Sequence, residues 1–233
     1  MYQYESRVSY SQLNEEEKLS LPAILNYLQD CSTFESEDLE VGMEFLNQEN
    51  RAWLLAEWQI FLEEDAKIGD PLTIATWPYR FDSSLGYRNL EIKSKDRIIA
   101  RARSKWFLID TEKERPVRLT EEITGAYELG PAFSYPEVNY KIRMAKEEVK
   151  EYPRIMIPAF AMDTNHHMNN QKYLEFAMEY LPEDREIKKI VIQYKVQCKK
   201  GEWIKPVSFV REDFFVVGFV KEDGKVAAFV AFR

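Results

Sequence analysis

Asp163, Asn165 and His167 occupy alternate positions of Asp163-Thr-Asn-His-His-Met-Asn-Asn170, a stretch that also holds both histidines of the chain. If residues 161–168 run extended, side chains alternate sides, and a carboxylate, an amide and an imidazole share one face. A carboxylate serves as general base or nucleophile, an amide orients a water or a second carboxylate, and an imidazole moves protons near neutral pH. Asn169 and Asn170 are suited to cap the apolar run that follows. The unpaired first N–H groups of that helix would offer donors and partial positive charge to an oxyanion. This set suits hydrolysis of an activated acyl group. A metal would need a third ligand, and adjacent His166 and His167 point opposite ways in an extended chain. A serine-hydrolase arrangement has no G-x-S-x-G to support it. On chemistry alone, a purely structural use of these residues, capping a helix and pinning a loop, stays open.

The elements that must position this cluster follow from pattern. Tyr173, Leu174, Phe176, Ala177, Met178, Tyr180 and Leu181 make a helix at about 170–181, apolar on nearly every side and ended by Pro182. Strands are predicted at 187–198, 203–210, 213–221 and 225–232. The first half has the same plan. Ser20-Leu-Pro22 starts a helix at about 21–31 with Ile24, Leu25 and Leu28 at helical spacing. β-rich runs follow at Trp53–Leu62, Leu72–Trp77, Leu90–Ile92 and Ile98–Ile109. Residues 110–136, rich in charge, Pro and Gly without a sustained period, read as a link. Residues 57–74 can be laid over 189–206, matching Gly69-Asp70 with Gly201-Glu202, and Asp96-Arg-Ile-Ile-Ala corresponds to Asp223-Gly-Lys-Val-Ala. A helix followed by antiparallel strands, used twice, implies two sheets that each wrap a helix.

Composition sets the outer bounds. The 233 residues are 45% hydrophobic, enough for a sizeable core, and no run approaches the apolar length of a membrane span. The opening Met1-Tyr-Gln-Tyr-Glu-Ser-Arg lacks a signal-peptide pattern, and a cytoplasmic location is the expectation. A net charge of -8 argues against a nucleic-acid partner. Basic clusters remain at Arg97–Lys105, Lys113–Arg118 and Lys195–Lys200, as local patches or as solvated strand faces. Cys31 and Cys198 supply neither a disulfide framework nor metal-ligand spacing.

Asp163-Thr-Asn-His-His-Met-Asn-Asn-Gln-Lys-Tyr173 resembles the D-x-N-x-H-x-N-N-x-K-Y segment of the acyl-ACP thioesterases, the plant plastid enzymes and their bacterial relatives. Tyr194-Lys-Val-Gln-Cys198 is similar to the family's Y-R-R-E-C. Ala102-Arg-Ser-Lys-Trp106 resembles its A-T-S-K-W strand, and Gly69-Asp70 precedes a strand ending in Trp77 as in that family. The resemblance implies an α+β double hotdog, with an N-terminal hotdog over 1–133 holding the acyl chain and a C-terminal hotdog over 134–233 holding the catalytic residues. It implies hydrolysis of the thioester between a fatty acyl chain and the phosphopantetheine arm of acyl carrier protein, with no metal and no cofactor. Carried over by position, the catalytic residues are Asp163, Asn165 and His167. Gln197 stands where the family has Glu, and Cys198 at the family Cys. Gln197 is no general base, so Asp163 would carry the acid–base work, and an apolar strand environment would make Cys198 an inert thiol. Ile24, Leu25, Leu28, Met43, Phe45, Trp53 and Trp58 are the expected acyl-pocket walls. Lys199 and Lys200 are expected to meet the acidic carrier protein. Hydrolysis of acyl-CoA and a silent acyl-thioester binding module are the alternatives, and monomer and homodimer are both left open.

Overall fold

Ser20 opens the first helix as its position dictates: its hydroxyl accepts from the Ala23 amide, and Pro22 sits in the first turn, where backbone N–H groups have no intrahelical acceptor and a missing one costs nothing. In a computed structural model, which describes residues 1–134, 141–183 and 185–233, this helix is α1, Leu21–Asp38. It runs beyond the expected end near residue 31. Ser32, Thr33 and Ser36 return their hydroxyls to the carbonyls four residues back, so polar residues cost the helix little, and it stops before Glu40 at φ 60°. A short α2, Met43–Gln48, follows, which the pattern did not foretell.

Contacts divide the chain into two units. The first holds the described residues up to 134 apart from Glu57–Gln59, and the second holds Glu57–Gln59 and the described residues from 141 on. In the first unit the strands are β1 (Tyr2–Arg7), β2 (Arg51–Leu62), β3 (Pro71–Asp82), β4 (Leu85–Ser94), β5 (Arg97–Asp110) and the two-residue β6 (Arg115–Pro116), in order β1-β3-β4-β5-β2 with β6 on β5. β1 was missed because its alternation leaves every second residue exposed without a strong apolar face. Ile74, Ile92 and Ala100 are successive cross-strand partners, as are Thr76, Leu90 and Ala102, and all are fully buried. The Cys31 thiol contacts the Ile74 carbonyl, which places α1 over β3. Leu25 and Leu28, with no exposed surface, each contribute about 1.5–3 kcal/mol by burial.

The expected link at 110–136 is built into the first unit as far as it is described. Asp110 accepts from the amides of Glu112 and Lys113, which turns the chain into β6. Thr120 then caps α3, Glu121–Gly125, and buries Ile123. Beyond it the Pro131 carbonyl accepts from the Trp77 indole and the Asn89 amide, and the Phe133 carbonyl from Arg103. Charge and proline hid a segment whose order comes from bonds to the sheet rather than from a period of its own. Its last two residues, and the stretch just after the expected boundary at 133/134, lie within 135–140, outside the described residues.

The second unit has β7 (Lys150–Glu151), β8 (Ile155–Met156), α4 (Asn170–Met178), β9 (Lys189–Tyr194), β10 (Trp203–Arg211), β11 (Phe214–Lys221) and β12 (Val226–Phe232). The strand order is β9-β12-β11-β10-β7, with β8 also on β10. α4 is shorter than expected, and Tyr173, Leu174 and Ala177 are its buried apolar residues, with Tyr173 edge-on to Phe219 and Tyr194. β9 ends four residues before the expected 198. The amides of Lys195 and Val196 both donate to the Ala227 carbonyl (2.8 and 3.2 Å), so the ladder loses its one-to-one step there. No helix among the described residues is long and apolar enough to cross a membrane.

Candidate active site

Residues 163–167 are not extended. After a single 3₁₀ turn at Ala159–Ala161, Met162 and Met168 pair as an isolated antiparallel bridge, and the chain between them closes on itself. The Asp163 amide donates to the His167 carbonyl (2.8 Å) and the His166 amide to the Asp163 carbonyl (3.2 Å). The cause lies in two residue types. Asp163 Oδ1 accepts from the amides of Asn165 (2.8 Å) and His167 (3.1 Å), the local bonding for which a short carboxylate is suited. His166 takes φ 59°, a left-handed conformation that a run of alternating faces excludes. The shared face expected of Asp163, Asn165 and His167 is therefore absent. What the structure brings together is Asp163 and His167, opposite one another across the closed loop, with Asn165 and His166 exposed at its tip.

The chemistry left free in this loop is specific. Asp163 Oδ2 takes no hydrogen bond from the described residues, while Oδ1 is fully engaged with the loop backbone. His167 is half-buried, and its Nδ1 is buried without a hydrogen-bond partner among the described residues. Directly after Met168, Asn169 caps α4 by accepting from the Gln171 amide (3.0 Å), and Asn170 is the first helical residue rather than a second cap.

Gln197 and Cys198 lie in a strap between β9 and β10, not on a strand. The Cys198 carbonyl accepts from the Met168 amide (2.8 Å), which ties the strap to the loop. Gln197 is exposed and enters the site through its backbone, its carbonyl accepting from Lys221 Nζ (3.0 Å). Cys198 is fully buried. Burial pushes its thiol up, against the opposing pull of the Tyr173 hydroxyl that hydrogen-bonds the sulfur, so it is not poised as a thiolate. The acid of this region is Glu202, which sequence reading used only as a repeat marker. Its Oε2 accepts from the Lys199 amide (3.0 Å) and from Lys221 Nζ (2.7 Å), and burial, which would raise its pKa, is outweighed by these donors.

The first unit contains the same construction with different side chains. Leu13 and Leu19 bridge as Met162 and Met168 do, the Asn14 amide donates to the Lys18 carbonyl, and Asn14 Oδ1 accepts from the amides of Glu16 and Lys18 (3.1 and 2.9 Å). Glu17 takes φ 61° where His166 takes φ 59°. The Leu19 amide donates to Ala66 as Met168 does to Cys198. Asn14, Glu16 and Lys18 thus stand where Asp163, Asn165 and His167 stand, and Lys18 is ion-paired to Glu16 (2.8 Å) and Asp65 (3.0 Å). The matched Gly69-Asp70 and Gly201-Glu202, both glycines at φ 81°, were the visible part of this repeat.

Of the expected pocket residues, Ile24, Leu25 and Leu28 are buried in the first unit, where Trp53 is half-buried and Met43 is exposed at the head of α2, while Trp58, fully buried, belongs to the second unit. Lys199 and Lys200 are exposed on the strap. The basic cluster at 97–105 is not a free patch: Arg97 pairs with Glu64 and Asp70, Arg101 with Glu63 and Glu91, and Arg103 is buried.

Models of the acyl-ACP thioesterase N-terminal and C-terminal domains match residues 1–127 and 143–214, the second range containing the closed loop, α4 and the strap. The chain belongs to the acyl-ACP thioesterase family. Among its relatives is the chloroplastic oleoyl-acyl carrier protein thioesterase of Coriandrum sativum, 25% identical over 194 residues, or 76% of this chain and 52% of that protein. The chain spans about half the length of the curated relatives it matches. An acyl-ACP thioesterase from Bacteroides thetaiotaomicron superposes with a TM-score of 0.89 at 20% identity, covering 99% of this chain and 96% of the other. The 12:0-ACP thioesterase from Umbellularia californica gives 0.84 at 14% identity, covering 100% and 96%. At such identities these matches speak to fold, and the fold is the α+β double hotdog of the family.

Proposed function

We propose that the chain hydrolyses the thioester of fatty acyl-[acyl carrier protein], releasing free fatty acid and ending chain elongation, with the closed loop of the second unit as its active site. The observation that carries this is the loop's division of labour: one Asp163 oxygen holds the backbone, while the other oxygen and the buried Nδ1 of His167 are left without partners among the described residues. In this reading Asp163 Oδ2 takes a proton from water, whose oxygen bonds to the thioester carbon. The carbonyl oxygen gathers the negative charge near the start of α4, where the Asn170 amide has no partner among the described residues while those of Gln171 and Lys172 are taken by Asn169. The C–S bond then breaks, and the sulfur of the phosphopantetheine arm leaves with a proton returned through Asp163 or His167. Asn165 orients the water or the acyl carbonyl, and Gln197 and Cys198 serve as backbone support rather than as base and nucleophile.

In this reading the acyl chain lies in the first unit, against Ile24, Leu25, Leu28, Met43 and Trp53, where each methylene removed from water is worth about 0.8 kcal/mol, and Trp58, which belongs to the second unit, is set aside. Lys199 and Lys200 meet the carrier protein. The free thiols of Cys31 and Cys198 support a reducing, cytoplasmic setting. Homodimer formation is a separate property, read by sedimentation. The test is turnover on acyl-ACP and on acyl-CoA of matched chain length, followed as free fatty acid. The proposal expects hydrolysis with the carrier-protein thioester preferred. Preference for the CoA ester would reassign the substrate, and binding without turnover on every chain length would make the protein an acyl-thioester binding module.

A further inference from the structure

We propose that Glu202 and Lys221 form a latch that positions His167, a role that rests on the reading of the closed loop as the active site. Three bonds fix the backbone around His167. Its amide donates to Asp163 Oδ1 (3.1 Å), its carbonyl accepts from the Asp163 amide (2.8 Å), and the next amide, of Met168, donates to the Cys198 carbonyl (2.8 Å). The first two are internal to the loop. The third is the loop's tie to the strap, and it holds only as firmly as Cys198 is held.

The latch fixes the peptides on both sides of Cys198. Before it, the Gln197 carbonyl accepts from Lys221 Nζ (3.0 Å). After it, the Lys199 amide donates to Glu202 Oε2 (3.0 Å). Lys221 and Glu202 are themselves joined at 2.7 Å, and the Lys221 side chain is only 15% exposed. One ion pair thus closes a ring from β11 through the strap to the catalytic loop. Among the described residues neither side chain is hydrogen-bonded to the loop, so the pair acts through the strap.

The first unit supplies a control within the same chain. There Asp70 Oδ2 accepts from the Lys67 amide (3.0 Å) and from Arg97 (3.1 Å), while Arg97 also donates to the Asp65 carbonyl (2.9 Å). Asp65, Ala66 and Lys67 correspond to Gln197, Cys198 and Lys199, and Ala66 anchors Leu19 as Cys198 anchors Met168. The same latch therefore exists on a loop that carries Lys18 in place of His167. Breaking it removes the same structural bonds without touching the proposed chemistry.

The experiment compares Glu202→Ala and Lys221→Met with Asp70→Ala and Arg97→Met, measuring kcat and KM on acyl-ACP and the ring resonances of the two histidines by NMR. The latch predicts that the second-unit variants lose roughly 10- to 100-fold in kcat with KM nearly unchanged, as expected of a reacting group displaced by up to an ångström. It also predicts that the His167 resonances shift and that the first-unit variants change neither readout. Glu202→Gln, which keeps an acceptor oxygen for both donors, recovers most of the lost turnover. Wild-type kcat in folded Glu202→Ala, or an equal loss in Asp70→Ala, overturns the proposal. If the wild-type protein hydrolyses no acyl-ACP, the active-site reading falls, and the His167 resonances alone decide the latch. A shift confined to the second-unit variants then supports it, and unchanged spectra overturn it.

Discussion

The proposed function gives Asp163 two jobs, which a pair of substitutions separates. Its Oδ1 accepts two backbone amides, from Asn165 and His167, and its Oδ2 has no hydrogen-bond partner among the described residues. Asp163→Ala removes both acceptors. Hydrogen bonds to a charged group contribute about 1.5–3 kcal/mol each when desolvated. This loop is partly exposed and water replaces some of that, so a total loss of about 1–3 kcal/mol is expected. Asp163→Asn keeps an oxygen at the Oδ1 position. The first unit shows that an amide suffices there, because Asn14 makes the equivalent bonds to Glu16 and Lys18 at 3.1 and 2.9 Å. Asp163→Asn should therefore cost no more than about 0.5–1 kcal/mol in urea denaturation, within the range of an ordinary polar substitution. Its turnover, lacking the base, should fall by about 10²- to 10⁴-fold. Denaturation midpoints and fatty acid release measured on the same preparations would decide it. A folded, fully stable Asp163→Asn that keeps turnover, or an Asp163→Asn as destabilised as Asp163→Ala, would refute the division of labour.

Three further outcomes follow from the structure. Glu35 and Arg88 form an ion pair with side chains only 6% and 9% exposed, so Arg88→Met should cost about 3–5 kcal/mol in urea, and Glu35→Leu combined with it less; equal costs would contradict a charge left buried alone. The Lys67 amide and the Arg97 guanidinium hold the Asp70 carboxyl below the usual range. A depressed folded pKa stabilises above the unfolded value, near pH 4, and that contribution fades as pH falls through the folded one. The Tm deficit of Asp70→Asn should accordingly be present at pH 7 and shrink as the pH falls below about 4, and a deficit that grows in acid would reverse the sign of this reasoning. Lys199→Glu with Lys200→Glu should raise KM for acyl-ACP much more than for a small acyl thioester, and equal effects would remove these lysines from the docking surface.

Much of this architecture was legible because it rests on side-chain pattern. Ile24, Leu25 and Leu28 declared α1, and the strands from Trp203 to Phe232 declared themselves by β-branched and aromatic content. The repeat was visible at Gly69-Asp70 and Gly201-Glu202, where a left-handed turn favours glycine. Its deeper half was not, since Asn14-Glu-Glu-Glu-Lys18 shares with Asp163-Thr-Asn-His-His167 a backbone rather than a sequence. The extended reading of 161–168 failed for the same reason. Alternation assumes that side chains leave the backbone alone, whereas Asp163 bonds to it. Gln197 misled in the other direction: a missing acid in the motif says nothing of Glu202, which arrives at the strap only when Gly201 turns the chain.

The most direct test of the account is a side-by-side measurement of fatty acid release from acyl-ACP by His167→Ala and Lys18→Ala, the same position in two loops of one construction. If the second-unit loop carries the reaction, His167→Ala loses about 10²-fold or more and Lys18→Ala keeps wild-type turnover. Equal turnover in the two variants would contradict it.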